Sequence, residues 1–94
     1  MKLGFEWDEN KAKANLKKHR VGFDEAITVF TDPFSITIHD PGHSAEEPRY
    51  TDSGTSDKGR VLVLVYTERG SNIRIISCRR ATPSERKLYE EVDK

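Results

Sequence analysis

The stretch RVLVLVYTERGSNIRIISCRRATPSERKLYEE, Arg60–Glu91, decides the fold. Its first part, Arg60–Glu68, is apolar on both faces, which predicts a central β-strand that is covered on both sides. Gly70 and Asn72 are turn residues, and Ile73–Cys78 predicts a second strand that returns antiparallel to the first. The chain is therefore expected to build its sheet around one β-hairpin.

A helix is predicted directly after the hairpin. Thr82 and Glu85 have the spacing of a capping box, in which the two side chains bind backbone N–H groups at the start of a helix. Pro83 occupies the first helical position, where its missing N–H is tolerated. Leu88 and Val92 give this helix a narrow apolar edge.

The N-terminal part predicts one strand and two helices. Leu3–Trp7 alternates in the manner of a short strand. Asp8 can cap a helix over Asn10–His19, in which cations crowd the last turn and suit the helix dipole. A second helix is expected over Phe23–Phe30, and the Asp-Pro pair at 32–33 ends it.

Two further strands complete the expected domain. Phe34–Asp40 alternates as a strand, and Arg49–Ser53 is a candidate edge strand within a segment rich in turn residues and acids. The element order is then β-α-α-β-β-β-β-α, which describes an α+β domain with a mainly antiparallel sheet. Residues 1–94 are expected to form a single domain, since no internal repeat or linker interrupts them.

The composition limits the class of protein. Sixteen basic residues balance 16 acidic ones, so any attraction to nucleic acid or anionic lipid has to come from local separation of charge. One cysteine, Cys78, excludes an internal disulfide and a cysteine-based zinc site. The sequence shows neither a signal peptide nor an apolar run long enough to span a bilayer, which predicts a cytoplasmic protein without a membrane partner.

Positive charge is concentrated in two segments that contain no acid. Asn10–Arg20 holds four lysines and an arginine, and Arg69–Arg80 holds four arginines. Strand alternation places Ile73, Ile75, Ser77 and Arg79 on one face and Arg74, Ile76, Cys78 and Arg80 on the other. The last two arginines are therefore expected to diverge, and the first helix brings its basic end to them only if it packs beside this end of the strand.

Two interpretations of these arginines stay open. They can be solvated strand-end cations that promote solubility, or guanidinium groups that a rigid strand holds for an anion. Arginine binds phosphate through a planar fork and can stabilise the phosphorane that forms when a ribose 2′-hydroxyl attacks an RNA phosphate. Because arginine is a poor general base, cleavage needs a further group for proton transfer. The candidates for that group are His19, Lys18, Glu85, Tyr66 and Tyr89.

One tryptophan and two histidines are further candidates for contact with RNA or metal. Trp7 can stack on a base, or it can pack in the core. His39 and His43 lie near Asp40 and Glu46 but lack the spacing of a helical ligand pair, so no metal site is predicted. No glycine-rich phosphate loop is present, and no cofactor is expected.

Four blocks of the sequence resemble the BrnT toxins of bacterial type II toxin–antitoxin systems. The blocks are FEWDENKAKANLKKHRVGFDEA at 5–26, VFTDP at 29–33, GRVLVLVYTERG at 59–70 and IRIISCRRATPSERKLYEE at 73–91. The resemblance implies a RelE-like fold and a cytoplasmic, metal-independent endoribonuclease that cleaves RNA and arrests translation. It also implies a BrnA-type antitoxin that neutralises the toxin and alone supplies the binding of operator DNA.

The resemblance, together with the chemistry above, selects candidate site residues. The catalytic candidates are Arg69, Arg79, Arg80, Lys18 and His19, and the RNA-binding candidates are Arg74, Trp7, Glu85 and Tyr89. The chain departs from the family where Arg20 follows Lys18-His19 in place of the usual glycine, and where Cys78 replaces an alanine. A non-catalytic module that binds RNA or antitoxin, as half of an autorepressing complex, remains the alternative.

Overall fold

The computed structural model describes residues 4–40 and 48–92. The elements in chain order are β1 Gly4–Glu6, α1 Glu9–His19, α2 Phe23–Ala26, a 3₁₀ helix Ile27–Thr31, β2 Ile36–Asp40, β3 Arg49–Thr55, β4 Val61–Arg69, β5 Asn72–Arg80 and α3 Pro83–Val92. The predicted order is confirmed. The first residue of the predicted strand Leu3–Trp7 lies outside the described residues, as does the loop at 41–47.

The second helix is shorter than predicted and tightens into the 3₁₀ form. The change occurs at the β-branched pair Ile27-Thr28, residues that fit an α-helix less well than straight side chains do. The Thr28 hydroxyl donates to the carbonyl of Glu25 at 2.7 Å, and the Thr31 hydroxyl donates to that of Thr28 at 2.7 Å. These side-chain bonds compete with the helical pattern of the backbone.

The five strands form one sheet in the order β1-β5-β4-β3-β2. Every neighbouring pair is antiparallel except β1 and β5, which are parallel. The expected central position of β4 is confirmed. The expectation that Arg49–Ser53 forms an edge strand is wrong, because β2 pairs with the outer side of β3 residue by residue.

A bulge in β5 changes which of its side chains share a face. Val65 pairs with Ser77, but the next residue, Tyr66, pairs with Ile75, so Ile76 is left as an extra residue. Consequently Ile73, Ile75 and Cys78 all face the core, with exposures of 6%, 1% and 1%. The strict alternation predicted for this strand is therefore wrong beyond the bulge, since one extra residue reverses the phase of the pleat.

The core lies between one face of the sheet and the layer formed by α1, α2 and the 3₁₀ helix. Its buried members are Val21, Phe23, Ala26, Val29, Leu62, Leu64, Tyr66, Ile73, Ile75 and Cys78. On the opposite face of β4, Val63 and Thr67 are also buried, which confirms that this strand is covered on both sides. Within the described ranges, no helix is both long and apolar enough to span a bilayer.

The start and end of α1 are both well defined. The Asp8 carboxylate accepts bonds from the N–H groups of Asn10 and Lys11, as its predicted capping role requires. The helix ends at His19, and the residue that caps it, Arg20, has a φ of 61° in the left-handed region and donates its N–H to Leu16 O at 2.9 Å. Arginine thus occupies a conformation that glycine adopts at lower cost.

Candidate functional site

A basic cavity of about 430 Å³ opens beyond the strand ends, where β5 ends and β4 begins. It is lined by Thr55, Gly59, Arg60, Val61, Arg80, Ala81, Arg86, Tyr89 and Glu90. Three of these side chains are guanidinium groups, and a single carboxylate accompanies them. The cavity therefore has the charge needed to attract an anion.

Two of the three arginines are available to a ligand. Arg80 and Arg86 are both exposed. Neither side chain makes a hydrogen bond or ion pair with any residue in the described parts of the chain. Arg80 comes from the end of β5, and Arg86 comes from the first turn of α3. Two separate elements thus supply the unpaired charge.

The third arginine, Arg60, is bound to the body of the protein. Its Nε donates to Glu25 Oε2 at 3.0 Å, and its Nη2 donates to Glu25 Oε1. Nη2 also lies 3.3 Å from the carbonyl oxygen of Arg20. The hydrogen bonds from Arg60 lower the pKa of the buried Glu25 carboxyl below its ordinary value, against the opposing effect of burial. Arg60 therefore has a fixed position in the cavity wall.

Tyr89 attaches α3 to the sheet behind the cavity. Its hydroxyl donates to the Asp32 carboxylate and accepts a bond from Thr55 Oγ1 at 3.0 Å. The backbone N–H of Thr55 donates to the same carboxylate at 2.8 Å. Burial acts to raise the pKa of Asp32, but these bonds outweigh it and the pKa is lowered. Tyr89, one of the predicted site residues, thus lines the cavity, and its hydroxyl is already hydrogen-bonded within the protein.

The basic end of α1 lies beside the cavity. Asn15 anchors the helix to β5 through its Nδ2, which donates to Cys78 O at 2.8 Å. One turn later the helix ends at His19, and the next residue, Arg20, contacts the cavity arginine Arg60. The first helix therefore packs beside β5, which is the arrangement needed to bring its basic end close to the end of that strand. Lys18 is exposed and His19 is half-buried.

Arg79 points away from Arg80, as adjacent residues of a strand must. Its Nη1 and Nη2 donate to the two carboxylate oxygens of Glu85 at 2.7 and 2.9 Å. Glu85 also accepts from the N–H of Thr82 at 2.9 Å, which confirms the capping box. Together, the Arg79 and Thr82 bonds lower the pKa of Glu85 to about 2. These two candidates form an ion pair that joins α3 to β5.

The remaining strand arginines lie at the other end of the hairpin. Arg74 pairs with Glu6 of β1, with Nη1 and Oε2 3.9 Å apart, and Arg69 is the last residue of β4. Six residues separate Arg74 from Arg80, a distance of about 20 Å along a strand. The four strand arginines therefore do not form one cluster.

Trp7 and the histidine loop lie outside the cavity. Trp7 is half-buried, packs edge-on against Phe23 with a ring distance of 5.9 Å, and donates from Nε1 to Glu9 at 3.1 Å. His39 is exposed and contacts the Tyr50 ring, whereas His43 and Glu46 fall outside the described residues. No group of three potential metal-binding side chains occurs at 4–40 and 48–92.

Sequence reasoning missed two contributors to the cavity. The sequence patterns indicate Arg60 only as the start of a strand and Glu25 only as part of a helix. Neither carries a local signal, because the two residues are 35 positions apart and meet only in the folded chain. The family resemblance includes Arg86 in its closing helix with Glu85 and Tyr89, but Arg86 was not among the predicted site residues.

Comparisons with known proteins agree with this architecture. The family model described as "Ribonuclease toxin, BrnT, of type II toxin-antitoxin system" matches residues 7–85. The crystal structure of the Brucella abortus ribonuclease toxin BrnT is similar in fold, with a TM-score of 0.64 and 21% sequence identity. The match covers 86% of this chain and 99% of that one. Among curated proteins, none matches the sequence. Because the family model spans most of the chain, the protein belongs to the BrnT family of ribonuclease toxins from type II toxin–antitoxin systems.

Proposed function

We propose that this protein is an endoribonuclease that cuts RNA at the basic cavity and so arrests translation. One observation carries the proposal: Arg80 and Arg86, from two different elements, line the same cavity, and neither side chain has a partner at 4–40 or 48–92. Guanidinium groups suit a phosphodiester because they bind its oxygens through paired N–H donors. Membership of a type II toxin family supports RNA as the substrate and a protein antitoxin as the partner.

The proposed reaction is attack of a ribose 2′-hydroxyl on the adjacent phosphate. The phosphate gains negative charge as the new P–O bond forms, and Arg80 and Arg86 stabilise that charge. The proton of the 2′-hydroxyl goes to a base, and the 5′-oxygen of the departing nucleotide takes up a proton. His19 at the end of α1 is the proposed proton-transfer group, and Lys18 adds positive charge beside it.

The other predicted residues receive separate roles in this proposal. Arg69 and Arg74 bind the RNA backbone away from the cleaved bond, because they lie at the far end of the hairpin. Arg79 and Glu85 hold the start of α3, and with it Arg86. Trp7 lies at the rim of the core and stacks on RNA only outside the cavity. The proposed chemistry uses arginine and histidine, so cleavage is expected to persist in EDTA.

Cleavage of a defined RNA by the purified protein tests the proposal. Arg80→Ala and Arg86→Ala are each expected to slow cleavage about a hundredfold, the effect of losing one group that stabilises transition-state charge. Lys87→Ala is the matched control, since it removes a cation from the same helix without touching the cavity. Equal rates for all three variants would contradict the proposal.

A non-catalytic function is favoured by one feature of the cavity. Among the described residues that line it, Glu90 alone carries a carboxylate, and the Tyr89 hydroxyl is already bound. A protein that binds RNA or antitoxin without cutting would need no free base there. Wild-type protein that binds RNA, leaves it intact and permits normal growth when expressed would support this alternative.

Neutralisation is proposed to occur through a BrnA-type antitoxin that covers the basic cavity and itself binds operator DNA. An acidic segment of such a partner would complement Arg80 and Arg86. The complex is then expected to dissociate more readily at high salt, because screening weakens charge pairs at an exposed interface. Dissociation that is insensitive to salt would argue for a different docking site.

A further inference from the structure

The contacts of Arg60 with the protein use only part of its guanidinium group. Nε and Nη2 are occupied by Glu25 and by the carbonyl of Arg20. The two N–H groups of Nη1 have no acceptor in the part of the chain that the structure describes. The side chain is 27% exposed and lines the basic cavity.

Glu25 is an unusual residue to find behind this arginine. It is 5% exposed, and a buried carboxylate is costly unless it is fully bonded. Here it accepts from Arg60 at both oxygens and from Ser56 Oγ at 2.7 Å. A carboxylate held in this way leaves the guanidinium plane little freedom to turn.

We infer that Glu25 is a positioning residue that holds Arg60 so that its Nη1 group binds the RNA phosphodiester together with Arg80 and Arg86. The inference rests on the proposed function of the cavity and adds a third phosphate ligand to it. A guanidinium that is already fixed loses less conformational freedom on binding than a free one does. Arg60 therefore helps to orient the bound phosphate, while the two exposed arginines supply the net positive charge that attracts it.

Two glutamate variants give opposite results if the inference is correct. Glu25→Gln and Glu90→Gln each remove one negative charge near the cavity, so electrostatic attraction alone predicts tighter RNA binding for both. Glu90 makes no ion pair with an arginine in the described part of the chain and serves as the matched control. We expect Glu90→Gln to bind RNA more tightly. We expect Glu25→Gln to bind RNA about tenfold more weakly, because Arg60 is then no longer held in the orientation that lets Nη1 hydrogen-bond the phosphate.

The probe is a 2′-O-methyl oligoribonucleotide, which cannot be cleaved, with binding followed by fluorescence anisotropy over a series of salt concentrations. Circular dichroism and the Tm show whether each variant is folded at the temperature of measurement. Tighter binding by a folded Glu25→Gln protein would overturn the inference. Because the probe is inert, failure of the wild type to cut ordinary RNA would remove the nuclease proposal without affecting this result.

Arg60→Lys decides the matter if Glu25→Gln does not fold. Lysine keeps the ion pair with Glu25 but lacks the planar fork, so we expect weaker binding with the salt dependence retained. The double variant Glu25→Leu/Arg60→Met removes the pair without leaving a buried charge. It should lower the slope of log K against log salt by about 0.7, the value for one phosphate contact with a single strand. Unchanged affinity in Arg60→Lys and an unchanged slope in the double variant would both count against Arg60 as a ligand.

Discussion

The side-chain amide of Asn15 lies 2.8 Å from the carbonyl oxygen of Cys78, a residue 63 positions later in the chain. The same amide group donates to Val21 O at 2.9 Å, and its oxygen accepts from the Cys78 N–H at 3.1 Å. One buried side chain therefore joins the first helix, the loop after it and the strand that leads to Arg80. Its removal should loosen the basic end of α1 from the cavity.

Asn15→Asp is expected to destabilise the protein by roughly 3 kcal/mol, because a carboxylate would face two carbonyl oxygens without a donor of its own. Urea unfolding followed by circular dichroism measures the change. Asn10→Ala is the control, since this exposed side chain should alter stability by less than about 0.5 kcal/mol. Equal stability of the two variants would show that the Asn15 bonds contribute nothing net.

Arg20→Gly is expected to stabilise the protein. Arg20 has a φ of 61°, a conformation that costs an L-residue about 1 kcal/mol and glycine almost nothing. Its contact with Arg60 uses the backbone carbonyl, so glycine preserves it. Part of the gain is offset by the greater freedom of glycine in the unfolded chain. The Tm should rise by a few degrees, whereas Arg20→Ala, which keeps the strain, should give no increase.

The Glu85 ion pair makes stability depend on pH in the acidic range. The pKa of Glu85 falls to about 2 in the folded protein, mainly through its bonds from Arg79. A lowered folded pKa means that the contribution is fully present above the unfolded pKa near 4.5 and is lost as the pH falls through about 2. The stability difference between the wild type and Glu85→Gln should therefore shrink as the pH falls from 5 to 2. A difference independent of pH would contradict this assignment.

The contribution of Asp52 to stability should change with pH in the opposite direction to that of Glu85. Burial raises its pKa above the ordinary value, although bonds from Thr37 and Tyr66 oppose the shift. A raised folded pKa means that its contribution is complete below the unfolded pKa and is lost as the pH rises through the folded value. Asp52→Asn should remove that loss while retaining an acceptor for the Tyr66 hydroxyl, 3.0 Å away in the wild type. Denaturant unfolding of both proteins from pH 4 to pH 8 tests the expectation.

Local signals in the sequence predicted most of the fold. The apolar run of β4, the Gly70 turn and the capping box at Thr82 each depend on neighbouring residues, and each was confirmed. The bulge at Ile76 was not predictable, because an extra residue in a strand appears only when its partner strand is placed. The interior position of β3 likewise depends on β2, which approaches it from outside.

The candidate site was predicted less completely than the fold. Arg80 and the basic end of α1 were identified because consecutive cations are visible in a sequence. Glu25 and Arg60 meet across 35 residues, and no local pattern connects them. The family resemblance places Arg69 and Arg74 in the same candidate site as Arg80, but the length of the hairpin separates them. The residues that meet at the cavity were therefore only partly predictable from local patterns in the sequence.

The bulge at Ile76 sets a rule for how this hairpin can tolerate changes of length. Deleting one residue between Ile75 and Cys78 would remove the bulge and restore a plain pleat, in which the isoleucines and the thiol still face the hydrophobic interior. Removing two residues would reverse the phase and turn either the thiol or the isoleucines outward. Homologous chains should accordingly either keep the bulge or be one residue shorter at this point.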